Sequence, residues 1–159
     1  MPVVKERFGI QKIYEFYGAT EGNAGLINFD NHPGAVGFMF RLFPFFNPGY
    51  LVKVDVETGK LIRDKKGLAI RCKSKEVGTF AISINNMTKF HGYENNKQET
   101  ERKIARNVFK EGDTAFLSGD LLVMDEYYYP YFVDRVGDTF RWKSENVSPT
   151  EVENIMSSN

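Results

Sequence analysis

The sequence predicts an α+β fold that is mainly β, arranged as an antiparallel, barrel-like unit. Between residues 51 and 84, short runs of alternating apolar and polar residues end at turn signals such as Thr58-Gly59 and Asp64–Gly67. Short strands separated by hairpin signals at this spacing are typical of antiparallel barrels and sandwiches. Helical signals are limited to an amphipathic stripe in residues 98–109 and a helix start near residue 149.

Composition limits the class of protein. The chain has 159 residues, which is long enough for one domain with a buried core. Its 21 Lys and Arg residues balance 21 Asp and Glu residues, so no net field favours nucleic acid. Cys72 is the single cysteine, which excludes an internal disulfide and is typical of a reducing compartment. No apolar run approaches the roughly 20 residues of a membrane span, and Met1–Ile10 lack the apolar core of a secretory signal.

The first predicted strand is Lys12–Tyr17, which alternates and is rich in β-forming residues. It runs into the small-residue loop Gly18–Gly22, where glycines allow a ligand to approach the backbone closely. Within this loop Thr20 offers a hydroxyl and Glu21 offers a hard carboxylate suited to Mg²⁺. The residues alone leave two interpretations open, an ordinary polar turn or a nucleotide-binding loop.

The next two segments mix aromatic and helical signals. Phe38–Tyr50 is dense in aromatic residues, and it either packs into the core or lines an apolar ligand site. Gln98–Phe109 is predicted to be a helix because its apolar residues form one stripe and its charged residues form the opposite face.

An unusual carboxylate lies in the apolar segment Ala115–Met124. We predict two strands here, interrupted at Ser118-Gly119-Asp120. Because a buried charge is costly unless it is paired, Asp120 requires a specific partner.

The end of the chain reads as strand, glycine turn, strand and helix start. The strands are Tyr131–Val133 and Thr139–Trp142, the turn is Gly137-Asp138, and Ser148–Glu151 has the serine, proline and glutamate of a capped helix N-terminus. Four charged residues crowd this region: Asp134, Arg135, Asp138 and Arg141. They are compatible with a surface hairpin laced with ion pairs or with a functional site.

Three motifs together resemble one known family. They are EFYGATEGN at Glu15–Asn23, SGDLLVMDE at Ser118–Glu126 and DRVGDTFRWKSENVSPTEVE at Asp134–Glu153. The same motifs occur in the same order in the fatty acid transport protein and very long-chain acyl-CoA synthetase family. The chain resembles this family over essentially its whole length. This family is a branch of the adenylate-forming enzymes.

The resemblance assigns roles to the first motif. It implies that Tyr17 packs on adenine and that Gly18 belongs to the same nucleotide-binding loop. It also implies that Thr20 contacts the α-phosphate and that Glu21 holds the metal, which makes Thr20 and Glu21 the candidate catalytic residues.

The other two motifs extend these roles. By resemblance, Asp120 accepts both ribose hydroxyls of ATP, and Arg135 reaches the ribose or the phosphates. Gly137 aligns with a hinge, since glycine accepts large changes of φ and ψ. The implied organisation is the C-terminal part of a large AMP-binding domain in residues 1–136, followed by the hinge and the beginning of a small mobile domain in residues 137–159.

The implied function is that of an ATP-dependent long- or very long-chain fatty acid–CoA ligase, coupled to fatty acid uptake. ATP, Mg²⁺ and the co-substrate CoA are the expected cofactors. Because the family's upstream phosphate loop and its C-terminal lysine are absent, we expect a middle-to-C-terminal fragment that is inactive without the remainder of the enzyme. Ser144 stands where the family has glycine, which bears on the thioester step.

An alternative function is a non-catalytic nucleotide-binding or protein-interaction module derived from such an enzyme. No nucleic acid partner is expected. By resemblance the catalytic part faces the cytosol at the endoplasmic reticulum, peroxisome or plasma membrane, with membrane association through regions outside this chain.

Overall fold

The computed structural model describes residues 2–18, 25–40, 49–85, 88, 90, 101, 103–136, 140–142, 145–147 and 149–157. In chain order its elements are helix α1 (Pro2–Phe8), strands β1 (Glu15–Gly18), β2 (Gly25–Asn28), β3 (Gly49–Val52), β4 (Val77–Ser83), β5 (Ile104–Arg106), β6 (Thr114–Met124), β7 (Pro130–Arg135), β8 (Phe140–Trp142) and β9 (Glu145–Val147), and helix α2 (Pro149–Ser157). All described strand pairs are antiparallel, so the prediction of a mainly β, antiparallel fold is confirmed.

A five-stranded sheet forms the centre of the structure. Strands β3, β4 and β6 are neighbours in that order, and both β5 and β7 pair with β6. Strand β5 lies beside Thr114–Phe116, whereas β7 lies beside Asp120–Met124. The edge of β6 opposite β4 is therefore shared by two strands, with a gap between them at residues 117–119.

The segment between β3 and β4 is the predicted meander, held by isolated bridges such as Val54 to Leu61 and Arg63 to Ala69. Gly59 closes the first turn with φ +68° and donates its N–H to the Asp55 carbonyl at 2.7 Å. Gly67 closes the second turn with φ +78°. Both predicted turns are confirmed.

The core lies on both faces of the central sheet because successive residues of a strand point to opposite sides. One buried cluster contains Phe80 and Ile82 of β4 with Phe116 and Leu122 of β6. The other cluster uses smaller residues, and its buried members are Val52, Ala81, Ala105, Val108 and Ala115.

The small sheet formed by β1 and β2 has an outward apolar face. Phe16 and Ile27 are cross-strand partners there, and both side chains are exposed. Neither described helix has the length and hydrophobicity that crossing a bilayer requires.

The prediction of a helix over Gln98–Phe109 is wrong from Lys103 onward, although Glu101 is helical. Ile104–Arg106 is strand β5, and the carboxylate of Asp113 accepts the backbone N–H groups of Val108, Phe109 and Lys110 in the turn that follows. The edge of β6 offers the backbone of β5 hydrogen-bond partners, which outweighs a weak helical preference.

The prediction of two interrupted strands in Ala115–Met124 also needs correction, because β6 is a single strand. The predicted interruption is instead an enlarged β-bulge, with three residues of β6 opposite one residue of β4. Thr79 of β4 faces Leu121 and Ala81 faces Leu117, so Phe80 alone spans the three residues Ser118–Asp120. Gly119 makes the bulge possible, since its φ is +79°, a value that other residues rarely adopt.

The hairpin interpretation of the C-terminal motif is wrong as well. Strand β7 pairs with β6, and β8 pairs with β9, so the two predicted strands join different sheets. The turn residues Gly137-Asp138 lie outside the described residues. The predicted helix begins at Pro149, as its sequence indicated, although its proposed cap Ser148 is also outside them.

Candidate functional site

The bulge in β6 presents Asp120 at the gap between β5 and β7. The Asp120 N–H donates to Ser118 Oγ at 3.2 Å, and the Val136 N–H donates to the Gly119 carbonyl at 2.8 Å. These two contacts hold both polar groups of the peptide that joins Gly119 to Asp120. Asp120 is thereby set at a defined position although the regular ladder is interrupted.

The carboxylate of Asp120 is held by one tyrosine and one arginine. Its Oδ2 accepts a hydrogen bond from the Tyr17 hydroxyl at 2.6 Å, and its Oδ1 accepts from Arg135 Nε at 3.0 Å. Asp120 and Arg135 are direct cross-strand partners, which explains their contact. The side chain of Asp120 is 15% exposed and that of Arg135 is 66% exposed.

The prediction that Asp120 requires a partner is confirmed. The carboxylate still has free capacity to accept hydrogen bonds from a ligand. An ionised carboxylate can accept about four hydrogen bonds, and the contacts with Tyr17 and Arg135 use only part of that capacity. The exposed guanidinium adds little stability by itself, because solvent screens surface ion pairs. The Arg135 guanidinium instead provides the site with an exposed cationic donor beside the mostly buried Asp120 carboxylate.

Tyr17 connects the site to the core. Its ring meets the ring of Phe80 edge to face, with centroids 6.2 Å apart. Burial, followed by the hydrogen bond to Asp120, raises the pKa of the Tyr17 phenol above its usual value. Tyr17 therefore remains a neutral donor to Asp120 at ordinary pH.

The strand that carries Tyr17 requires glycine opposite it. A side-chain carbon placed on Gly25 would lie 2.5 Å from the Tyr17 carbonyl oxygen. Gly18 pairs with Gly25 in the register of β1 and β2. Two small residues at this point let the strands approach closely just before the chain enters residues 19–24.

The structure brings together three of the predicted site residues, namely Tyr17, Asp120 and Arg135. Gly18 follows Tyr17 on β1. Thr20, Glu21 and Gly137 lie outside the described residues, so their roles stay predictions. Within the described part of the chain, His, Cys, Asp and Glu residues form no group that could hold a metal ion.

Sequence reasoning missed Lys103 and Ser118 as parts of the site. Lys103 Nζ donates to the Ser118 carbonyl at 3.0 Å, and Ser118 Oγ lies 3.4 Å from Thr79 Oγ1. The helix predicted over Gln98–Phe109 would place Lys103 on its charged, solvent-facing side. Only the pairing of β5 with β6 brings Lys103 to the bulge, and no local pattern in the sequence indicates that pairing.

Cys72 behaves as a structural thiol. It is half-buried, and burial raises the pKa of its thiol to about 11. Because the thiolate is the nucleophilic form, such a thiol is poorly reactive at neutral pH. This agrees with the absence of a functional motif around Cys72.

Ionisation of Tyr17 should destabilise the fold in alkaline solution. A group whose pKa is raised by folding stabilises the protein below its unfolded pKa and loses that contribution as the pH rises beyond it. We therefore expect the free energy of unfolding to fall above about pH 10, and to fall less steeply in Tyr17→Phe. Urea unfolding of both proteins at a series of pH values tests this. Cys72, Tyr129 and Tyr131, whose pKa values are also raised, are present in both proteins, so equal slopes would contradict the role of Tyr17.

Comparison with known proteins identifies close relatives of the chain, although it matches no protein-family profile. Long-chain fatty acid transport protein 1 of Homo sapiens is 50% identical over 155 residues, which are 96% of this chain and 24% of that protein. Long-chain fatty acid transport protein 2 of Rattus norvegicus is 48% identical over 151 residues, with coverages of 95% and 24%. The chain spans about a quarter of the length of the curated relatives it matches.

Solved structures share the fold. The o-succinylbenzoate CoA synthetase of Bacillus subtilis in complex with the acyl-adenylate intermediate OSB-AMP has a TM-score of 0.61 at 20% identity, over 99% of this chain and 28% of that chain. ATP-bound MatB from Rhodopseudomonas palustris has a TM-score of 0.59 at 25% identity, over 92% of this chain and 25% of that chain. The predicted fold of an adenylate-forming enzyme is thereby confirmed for this segment.

Proposed function

Since the chain is a relative of the long-chain fatty acid transport proteins over the segment that it spans, we propose that it forms one wall of the ATP site of a fatty acid–CoA ligase. One observation carries the proposal. The Asp120 carboxylate is held by Tyr17 and Arg135, and these three residues come from the three separate motifs on which the resemblance rests. A paired carboxylate with open acceptor sites suits the adjacent hydroxyls of a ribose.

In this proposal each side chain has a defined task. Asp120 accepts the ribose hydroxyls, and Arg135 lies beside it to contact the ribose or a phosphate. Tyr17 orients Asp120 through its hydroxyl and offers its ring to the adenine. Thr20 contacts the α-phosphate, and Glu21 offers the hard oxygen ligand that Mg²⁺ prefers.

The reaction of the whole enzyme proceeds in two displacements. A fatty acid carboxylate oxygen attacks the α-phosphorus of ATP and pyrophosphate leaves, which forms an acyl-adenylate. The CoA thiol then attacks the acyl carbon, its proton is lost, and AMP leaves with the electron pair of the broken bond. Glu21 would hold Mg²⁺, which would supply positive charge beside the phosphates, and fixed donors stabilise the charge that develops during transfer.

The remaining parts of the proposal concern the surroundings of the site. Gly137 is the hinge between residues 1–136 and the small domain that begins in 137–159. The exposed pair Phe16 and Ile27 supports packing of the β1–β2 face against the remainder of the enzyme, because apolar faces of this kind mark interaction surfaces. Uptake of fatty acids and membrane association belong to the whole protein, through regions outside this chain.

The test is ligand binding and turnover by the chain itself. We expect saturation-transfer NMR to detect ATP binding with a dissociation constant near 1 mM, roughly −4 kcal/mol, since one wall supplies few contacts. We expect no acyl-CoA from ATP, Mg²⁺, CoA and a long-chain fatty acid. Absence of ATP binding would contradict the proposed site and favour a protein-interaction module. Acyl-CoA formation would contradict the restriction to one wall.

A further inference from the structure

We infer that Lys103 is a positioning residue for Asp120, and that its ammonium group holds the β6 bulge in the shape that presents the carboxylate to the nucleotide. The inference rests on the proposed function in one respect, the role of Asp120 as acceptor of ribose hydroxyls. The geometry that supports it does not depend on that role.

Lys103 contacts the residue just before the bulge and the first residue of the bulge. Its backbone carbonyl accepts the Leu117 N–H at 2.8 Å, and its Nζ donates to the Ser118 carbonyl at 3.0 Å. Pairing with β5 runs from Thr114 to Phe116, and pairing with β7 resumes at Asp120. Lys103 therefore supports the stretch of β6 at which neither β5 nor β7 forms a regular ladder with it.

The charge of Lys103 is directed to the backbone. None of the ion pairs between described residues includes Lys103, and its side chain is partly buried. A hydrogen bond from a partly buried ammonium to a carbonyl is charge-assisted and stronger than a neutral one. Fixing the Ser118 carbonyl also fixes the orientation of the peptide that leads into Gly119, the residue in the left-handed conformation.

The Lys103 ammonium group occupies the space that a side chain at residue 119 would need. A side-chain carbon placed on Gly119 would lie 2.6 Å from Lys103 Nζ, so the absence of a side chain at residue 119 makes room for the ammonium group. Ser118 Oγ and Val136 hold the other polar groups of the bulge. Without Lys103, the Ser118 carbonyl loses its donor and the peptide before Gly119 is free to rotate, which moves Asp120.

The first readout is nucleotide selectivity. We expect Lys103→Met to weaken ATP binding about tenfold, the effect of roughly one charge-assisted hydrogen bond. We expect the preference for ATP over 2′-deoxy-ATP to fall toward unity, and Lys103→Arg to restore it because the donor is kept. Lys110→Met, at an exposed lysine outside the bulge, is the matched control and should change neither quantity.

The second readout needs no nucleotide. Tyr17 donates to Asp120, so the ring resonances of Tyr17 at neutral pH, measured by NMR with ¹³C-labelled tyrosine and assigned through Tyr17→Phe, report whether the carboxylate keeps its place. In Lys103→Met we expect these resonances to move away from their parent positions, and in Lys103→Arg to return to them. If the parent chain binds no ATP, the proposed function fails while this readout still decides the role of Lys103. A variant with lower stability but unchanged Tyr17 resonances would show a merely structural lysine and overturn the inference.

Discussion

Replacing Asp120 with asparagine should weaken ATP binding by about 10- to 150-fold, the range of a lost hydrogen bond to a charged group. The amide keeps the size of the side chain but loses the charge. One of its two terminal atoms becomes an N–H donor, which cannot accept from Tyr17, Arg135 or a ribose hydroxyl. The measurement is the ATP dissociation constant, with the free energy of unfolding determined in parallel so that loss of fold is recognised.

A matched control is Glu111→Gln, which makes the same chemical change at an exposed turn residue away from the bulge. It should leave the ATP dissociation constant within about twofold of the parent value, because a distant surface charge is screened by solvent. If Asp120→Asn binds ATP as tightly as the parent chain while remaining folded, Asp120 is not the ribose acceptor.

Truncating Phe80 to alanine should lower the free energy of unfolding by about 3–5 kcal/mol. Phe80 has 0% exposure, lies in the large core cluster and is the residue of β4 that spans the bulge of β6. The variant loses buried apolar area and leaves a cavity beneath the Tyr17 ring. We therefore expect ATP binding to weaken as well, since Tyr17 loses the support that fixes its hydroxyl on Asp120.

Phe16→Ala is the control for this change, because the same residue type is removed one position before Tyr17. Phe16 is 83% exposed, and a surface substitution of this kind is usually within about 0.5 kcal/mol of the parent. Urea unfolding of both variants makes the comparison. Equal losses of stability would mean that Phe80 is not a central support of the core.

Local sequence predicts the acceptor of the site, Asp120, but not its donors, Tyr17 and Arg135. A carboxylate after a glycine within an apolar strand requires pairing wherever it is buried, so Asp120 could be singled out from local sequence alone. The hydrogen bond from Tyr17 joins residues 103 positions apart. Local sequence carries no information about that contact, and only the family resemblance placed Tyr17, Asp120 and Arg135 in one site beforehand.

The segment that contains Lys103 shows why local patterns fail. Ala105 and Val108 are both buried, and their spacing equally suits one face of a helix or a strand followed by a turn. The choice depends on the free edge of β6 and on Asp113, which binds the N–H groups of the turn. A hydrogen-bond partner that lies elsewhere in the chain decides the structure here, since backbone groups must be paired when they are buried.

By itself the sequence determined the mainly antiparallel β architecture, the turns at Gly59 and Gly67, the helix start at Pro149 and the need of Asp120 for a partner. These features depend on strand alternation, turn chemistry and the cost of a buried charge, which act over a few residues. Only the tertiary structure decided the single long β6, its bulge opposite Phe80, the separation of β7 from β8 and the place of Lys103. Those features depend on strand pairing between distant segments, where the energy of the complete hydrogen-bonded ladder and core outweighs local preference.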